Sequence, residues 1–166
     1  MAEAPQVLIM MGSDSDLPVM REATVILDRF GVPWEMRISS AHRSPVRTMA
    51  LASEAAGRGI RVIIAGAGMA AHLAGVIAAK TTLPVIGVPM PGGALNGVDA
   101  LYSTVQMPGG IPVATMAIGK PGAKNAGLFA VQVLALTDGG LAEALLAYRR
   151  EMEREVEGKD AELQAG

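Results

Sequence analysis

The sequence predicts an α/β fold, a three-layer αβα sandwich built on a five-stranded parallel sheet. Short continuous apolar runs, such as Gln6-Val7-Leu8-Ile9-Met10-Met11, alternate with longer segments of helical spacing. The runs lack the polar alternation of a half-exposed strand, so they read as strands buried on both faces, as parallel strands are. Small-residue turns punctuate them, and each helical segment is long enough to serve as a right-handed crossover.

Taken in order, residues 6–11 form a central strand closed by Gly12. Asp16 can cap the helix that follows, with Pro18 in its first turn; Met20, Ala23, Leu27 and Phe30 keep helical spacing until Gly31. A second strand covers 34–38. Ser44 and Pro45 open the next helix as N-cap and first helical residue, with Val46, Met49, Ala50 and Ala56 as its expected apolar side. The third strand is 62–65, followed by a turn over 66–72, an alanine-rich helix to about Thr81 and a fourth strand at 84–88. A flexible loop (89–97) and a short helix (98–105) precede a fifth strand over 111–118, interrupted at its start by Pro112. One helix then runs from Gly122 to about Thr137 and a last one from Leu141 to about Val156, before a charged tail expected to be mobile. The 166 residues read as a single domain, with a core at 6–138 and a C-terminal helix and tail at 141–166.

Composition removes several classes of function. Hydrophobic residues make up 51% and charged residues 18%, apolar enough that other copies of the chain are expected to cover part of the surface. A net charge of -2 and 3% aromatic residues offer neither a basic field nor stacking platforms for nucleic acid. The absence of cysteine rules out disulfides and thiolate chemistry and fits a reducing compartment, so a cytoplasmic location is expected. Residues 1–5 are short and acidic and lead directly into a strand, unlike a signal peptide. The apolar stretch 62–88 contains His72, Lys80, Pro84 and several glycines, so it reads as strand, helix and strand rather than a membrane span.

In the flavodoxin-like strand order 2-1-3-4-5, within the broader Rossmann-like class, ligands bind outside the carboxyl ends where the strand order reverses. The turns after the first three strands, 12–16, 39–45 and 66–72, would then converge on one crevice. Each precedes a helix, so backbone amides and positive helix ends face it, a seat for phosphate. Ser13 and Ser39 can donate to such a phosphate, or satisfy their own turns. Arg43 can grip it with paired donors. Asp16 can accept from sugar hydroxyls as well as cap its helix. The ligand is expected to be a polar, phosphorylated small molecule.

His42 sits in the strand-to-helix turn Ser39-Ser40-Ala41-His42-Arg43-Ser44-Pro45, where an imidazole can both give and take a proton; taken alone it could be only a turn residue. The small residues of 66–71 allow either close approach of backbone to a ligand or helix packing. His72 is open between ligand contact and a hydrogen-bonded buried imidazole. With two histidines and no cysteine, a zinc site lacks its usual third protein ligand unless a carboxylate joins. There is no Walker lysine, and Gly66-Ala67-Gly68 is an incomplete dinucleotide fingerprint.

Assembled, these motifs resemble the 5-(carboxyamino)imidazole ribonucleotide mutase family of de novo purine biosynthesis, in its class I form. The matching segments are MGSDSD at 11–16, SAHRSP at 40–45, GAGMAAHLAG at 66–75, IAAKT at 77–81, PVIGVP at 84–89 and GVDALYSTVQMPGGIPVAT at 97–115. The resemblance runs from Val7 to about Thr137. It implies a rearrangement without cofactor or metal, in which a carboxylate moves from the exocyclic nitrogen of an aminoimidazole ribonucleotide to the adjacent ring carbon through CO2 held in a closed pocket. It implies His42 as the proton-transfer residue and Ser13, Asp16 and Arg43 as binding residues, with Ser40, Ala41, Gly68, Ala70, His72 and Leu73 lining the pocket. It further implies a homo-octamer with active sites at subunit contacts, where residues 89–110 could complete a neighbour's site.

The sequence departs from that pattern at Met69, where glycine is usual, and at Ala74, where proline is usual; Pro91-Gly92-Gly93 also differs. A Met69 that needed positive φ would be strained. Two other readings stay open: a class II enzyme that carboxylates aminoimidazole ribonucleotide directly with CO2, and a non-catalytic nucleotide-binding module of the same fold.

Overall fold

A computed structural model describes residues 4–166. The chain divides into a first compact unit ending at Val131 and a second spanning Gln132–Gly166.

The first unit is organised on five strands: β1 (Val7–Met11), β2 (Trp34–Ile38), β3 (Val62–Ala67), β4 (Val85–Pro89) and β5 (Ala114–Thr115). Their order is β2-β1-β3-β4-β5 and every neighbouring pair is parallel. All five β1 residues are 0% exposed. Burying each such side chain contributes about 1.5–3 kcal/mol, so β1 anchors the sheet.

Helices cover both faces. α1 (Leu17–Arg29) lies over one, its Met20 thioether directly above Gly66 of β3. α2 (Pro45–Glu54) and α3 (Leu73–Ala78) lie over the other, where Ala52, Leu73, Ala74 and Ile77 pack with Leu8, Met10, Ile63 and Ala65. α4 (Val98–Val105) shares that second face through Thr104, which meets Gly87 of β4. α5 (Lys120–Ala135) packs beside α1, with Gly127 against Ala23 and Ile26. The last helix, α6 (Gly139–Ala165), belongs to the second unit.

Local chemistry moves several elements from their expected places. Asp16 precedes α1 but makes no capping bond; Ser13 instead accepts from the Ser15 N–H and organises a single 3₁₀ turn at Asp14–Asp16. Ser44 precedes α2 without capping it, because its hydroxyl bonds back to the Ser40 N–H and carbonyl. The buried side of α2 carries Thr48 and Ala52, whereas Val46 is 77% exposed. α3 ends at Ala78, short of Thr81, whose hydroxyl accepts from the Leu83 N–H and forms a turn. β5 has two residues rather than eight, because Pro112 cannot donate to the ladder. α6 begins earlier than expected, capped by Asp138 accepting from the Leu141 N–H at 3.1 Å, and continues through the charged tail to Ala165.

Close packing at Gly87 makes a clear demand on sequence. A Cβ there would lie 2.4 Å from Thr104 Cγ2 and 2.9 Å from Val113 Cγ1, both short, branched side chains. At Gly66 a Cβ would also be crowded, but by the flexible ends of Met20 and Met90. Gly87→Ala is therefore expected to lower stability by about 1–3 kcal/mol and Gly66→Ala by less. Urea midpoints of the two variants check this; equal losses would contradict it.

Candidate active site

Because β1 pairs in parallel with both β2 and β3, Met11 lies level with Ile38 on one side and Gly66 on the other. The chain leaves the sheet at the same edge three times, and the three turns meet around a cavity of about 370 Å³.

Each turn contributes a group of lining residues. From the turn after β1 come Gly12, Ser13 and Asp16; from the turn after β2, Ser40, Ala41, His42 and Arg43. The turn after β3 and the start of α3 supply Gly68, Ala70, His72 and Leu73. Apart from Ser39, every site residue expected from the sequence borders this one cavity. Met69, one of the two departures from the family pattern expected beside the pocket, borders it too, as does Ala67, whereas Ala74 does not line it.

Ser39 is the exception among the proposed phosphate donors. It is 2% exposed, and its hydroxyl is 2.8 Å from Thr48 Oγ1, so it ties the turn to α2 rather than offering a free donor. Beside the main cavity, Ser13, Ser40 and Arg43 also line a recess together with Asp14, Ser39 and Ser44.

Arg43 joins two of the turns. Its Nη2 donates to the Gly12 carbonyl at 2.8 Å, and its Nε approaches Ser40 Oγ at 3.4 Å. A guanidinium has five N–H donors, so others remain for a ligand. Asp16 is half-buried, and burial pushes its carboxyl above the ordinary value of 3.8, with a smaller push from Asp14. A backbone bond at Ser13, the Ser15 hydroxyl and the Arg43 charge pull the other way.

The two imidazoles meet directly. His42 Nε2 lies 2.7 Å from His72 Nδ1, with ring centroids 4.9 Å apart and planes at 80°. No sequence signal gives this contact across 30 residues, since it depends on side-chain rotamers as well as on the two turns being neighbours. Met69 takes a left-handed backbone, φ 54°, in the turn that carries His72. Its side chain is 65% exposed and lies against Gly93 in the loop after β4.

The family model described as AIR carboxylase matches residues 6–155. The chain belongs to the AIR carboxylase family. Among its relatives, the N5-carboxyaminoimidazole ribonucleotide mutase of Pyrococcus horikoshii is 56% identical over 98% of this chain and 91% of its own. The protein of the same name from Synechocystis is 57% identical over 97% and 90%. A phosphoribosylaminoimidazole carboxylase of Schizosaccharomyces pombe is 53% identical over 98% of this chain but 29% of its own length. The crystal structure of Treponema denticola PurE superposes with a TM-score of 0.87 at 29% identity, covering 96% of this chain and 98% of its own. This AIR carboxylase family member has, among its described residues, no group of three or more His, Cys, Asp or Glu side chains placed to hold a metal. None of its described helices is long and apolar enough to cross a membrane.

Two of these features predict measurable effects. A left-handed non-glycine residue costs about 1–2 kcal/mol, while glycine adds about 0.4–1 kcal/mol of unfolded-state entropy. Since Met69 has little burial to lose, Met69→Gly is expected to stabilise the protein by about 0.5–1 kcal/mol, read as a higher thermal midpoint. An unchanged or lower midpoint would show that the side chain contributes more than its exposure suggests. For Asp16, the folded chain holds more protons than the unfolded chain between 3.8 and the raised folded value, so this carboxyl makes stability fall as pH rises through that window. Asp16→Asn should therefore be more stable than the unaltered protein at neutral pH and lose that advantage below 3.8. A difference in urea midpoint that does not vary with pH would rule out the burial effect.

Proposed function

We propose that this chain is an N5-carboxyaminoimidazole ribonucleotide mutase, converting its substrate to 4-carboxy-5-aminoimidazole ribonucleotide in purine biosynthesis. The observation that carries the reading is the convergence of His42, Arg43, two serines and Asp16 on one cavity at the sheet edge. The mutase names of relatives 56–57% identical over nearly the whole chain support it.

In this reading Ser13, Ser40 and Arg43 hold the phosphate, and Asp16 accepts from the ribose hydroxyls. The N–C bond of the carbamate breaks, its electron pair stays on the exocyclic nitrogen, and His42 in its imidazolium form protonates that nitrogen as CO2 departs. Ala41, Gly68, Ala70 and Leu73 give CO2 a small apolar wall and keep it near its acceptor, a proximity effect that also excludes water. The ring carbon then attacks CO2, and neutral His42 removes the proton from that carbon as the ring's electrons return. The proton lent in the first half is recovered in the second, so the cycle needs no outside acid or base.

The same reading takes residues 1–166 as one functional domain and assigns it a cytoplasmic location and a homo-octameric assembly. Val98, Tyr102 and Val105, spaced along one side of α4, are 43%, 62% and 48% exposed in the single chain, as a helix face covered by another copy would be.

Offered N5-carboxyaminoimidazole ribonucleotide without bicarbonate, the protein should consume it; consumption only of aminoimidazole ribonucleotide with bicarbonate would establish a direct carboxylase instead. His42→Asn should lose at least about 100-fold in kcat with its circular dichroism and thermal midpoint unchanged. Near-normal conversion by that variant would remove His42 from the proton path.

A further inference from the structure

We propose that His72 is a positioning residue that keeps a proton on His42 Nε2 and leaves His42 Nδ1 as the nitrogen that exchanges a proton with the substrate. The proposal rests on the mutase reading for the identity of that substrate, but its structural content does not.

A nitrogen–nitrogen distance of 2.7 Å requires one hydrogen between the rings, with one nitrogen donating and the other bare. Two imidazoliums cannot share the contact, because two N–H groups would then face each other. When His42 is the acid, both of its nitrogens carry hydrogen, so Nε2–H must be the donor and His72 Nδ1 the acceptor. Becoming a base, His42 can release either proton. Release from Nε2 would break the bond unless His72 moved its own proton from Nε2 to Nδ1. Release from Nδ1 leaves the bond intact and needs no change in His72. Which nitrogen of a histidine reacts is commonly set by the bond the other one makes.

The surroundings agree with this division of labour. Among the described residues, no hydrogen bond engages His42 Nδ1, and His42 is an exposed residue lining the cavity. His72 is fixed through its backbone: its N–H donates to the Ala70 carbonyl at 2.9 Å, and its carbonyl accepts from the Val76 N–H at 2.9 Å. The near-perpendicular rings meet edge to edge at nitrogen rather than by stacking. The other charged groups at the cavity are Asp16, at the start of α1, and Arg43, in the turn beside His42, with Asp14 in the adjoining recess. None of them is hydrogen-bonded to either imidazole.

The chain contains two histidines, so a ¹⁵N-labelled sample gives two imidazole patterns, assigned by the loss of one in His72→Asn. In the unaltered protein without substrate, the expected result is a through-hydrogen-bond ¹⁵N–¹⁵N coupling between His42 Nε2 and His72 Nδ1. The proton should lie on Nε2. In turnover of N5-carboxyaminoimidazole ribonucleotide, His72→Leu should lower kcat about 10–100-fold with little change in KM. His72→Asn, whose side-chain oxygen can accept near the position of Nδ1, should recover most of that loss. No coupling, the shared proton on His72 Nδ1, or full kcat in His72→Leu would each overturn the proposal. The spectra need no turnover, so a protein that converts neither substrate would end the mutase reading while the spectra still decide the pairing.

Discussion

Parallel pairing of β1 with both of its neighbours is the constraint on which the rest depends. A parallel strand sends its carboxyl end to the same edge as its partners', and the register that sets Met11 level with Ile38 and Gly66 starts three loops at one height. Slipping β1 by one residue would exchange the side chains that face α1 with those that face α2 and α3, in a core filled on both sides. The complete burial of β1 makes such slips costly, so the core that stabilises the sheet also sets the relative positions of Ser13, His42 and His72.

Much of this was legible in the sequence because the strongest signals are local. Uninterrupted apolar runs marked β1, β3 and β4, and small-residue turns marked the loops that meet at the sheet edge. Hydropathy failed where a polar residue belongs to the core. Thr48 is 0% exposed on α2 because its hydroxyl pairs with that of Ser39, so an apolar pattern drawn through Val46 chose the wrong face. The same pairing removed Ser39 from the free phosphate donors. β5 and α3 were also overestimated: Pro112, which has no amide to donate, stands before a two-residue β5, and α3 stops at Ala78, ahead of the hydroxyl turn at Thr81. The His42–His72 contact lies beyond such reasoning altogether, because spacing places loops but not ring nitrogens.

The left-handed Met69 shows that this turn holds a bulky residue in a conformation that favours glycine. The turn takes a φ that glycine adopts freely, and the Met69 side chain lies against Gly93 at the border of the cavity. The strain is stored two residues from Ala71 and three from His72, in the segment that orients the second imidazole.

The bond from Arg43 to the Gly12 carbonyl has a consequence for affinity. A long cation normally surrenders rotamer freedom when it closes on an anion, and that loss subtracts from the strength of binding. Here the guanidinium is already tethered across two loops, so the loss is incurred when the chain folds. An incoming phosphate would meet a receptor that is rigid before it arrives, and the selectivity of the site for the shape of its anion would grow accordingly.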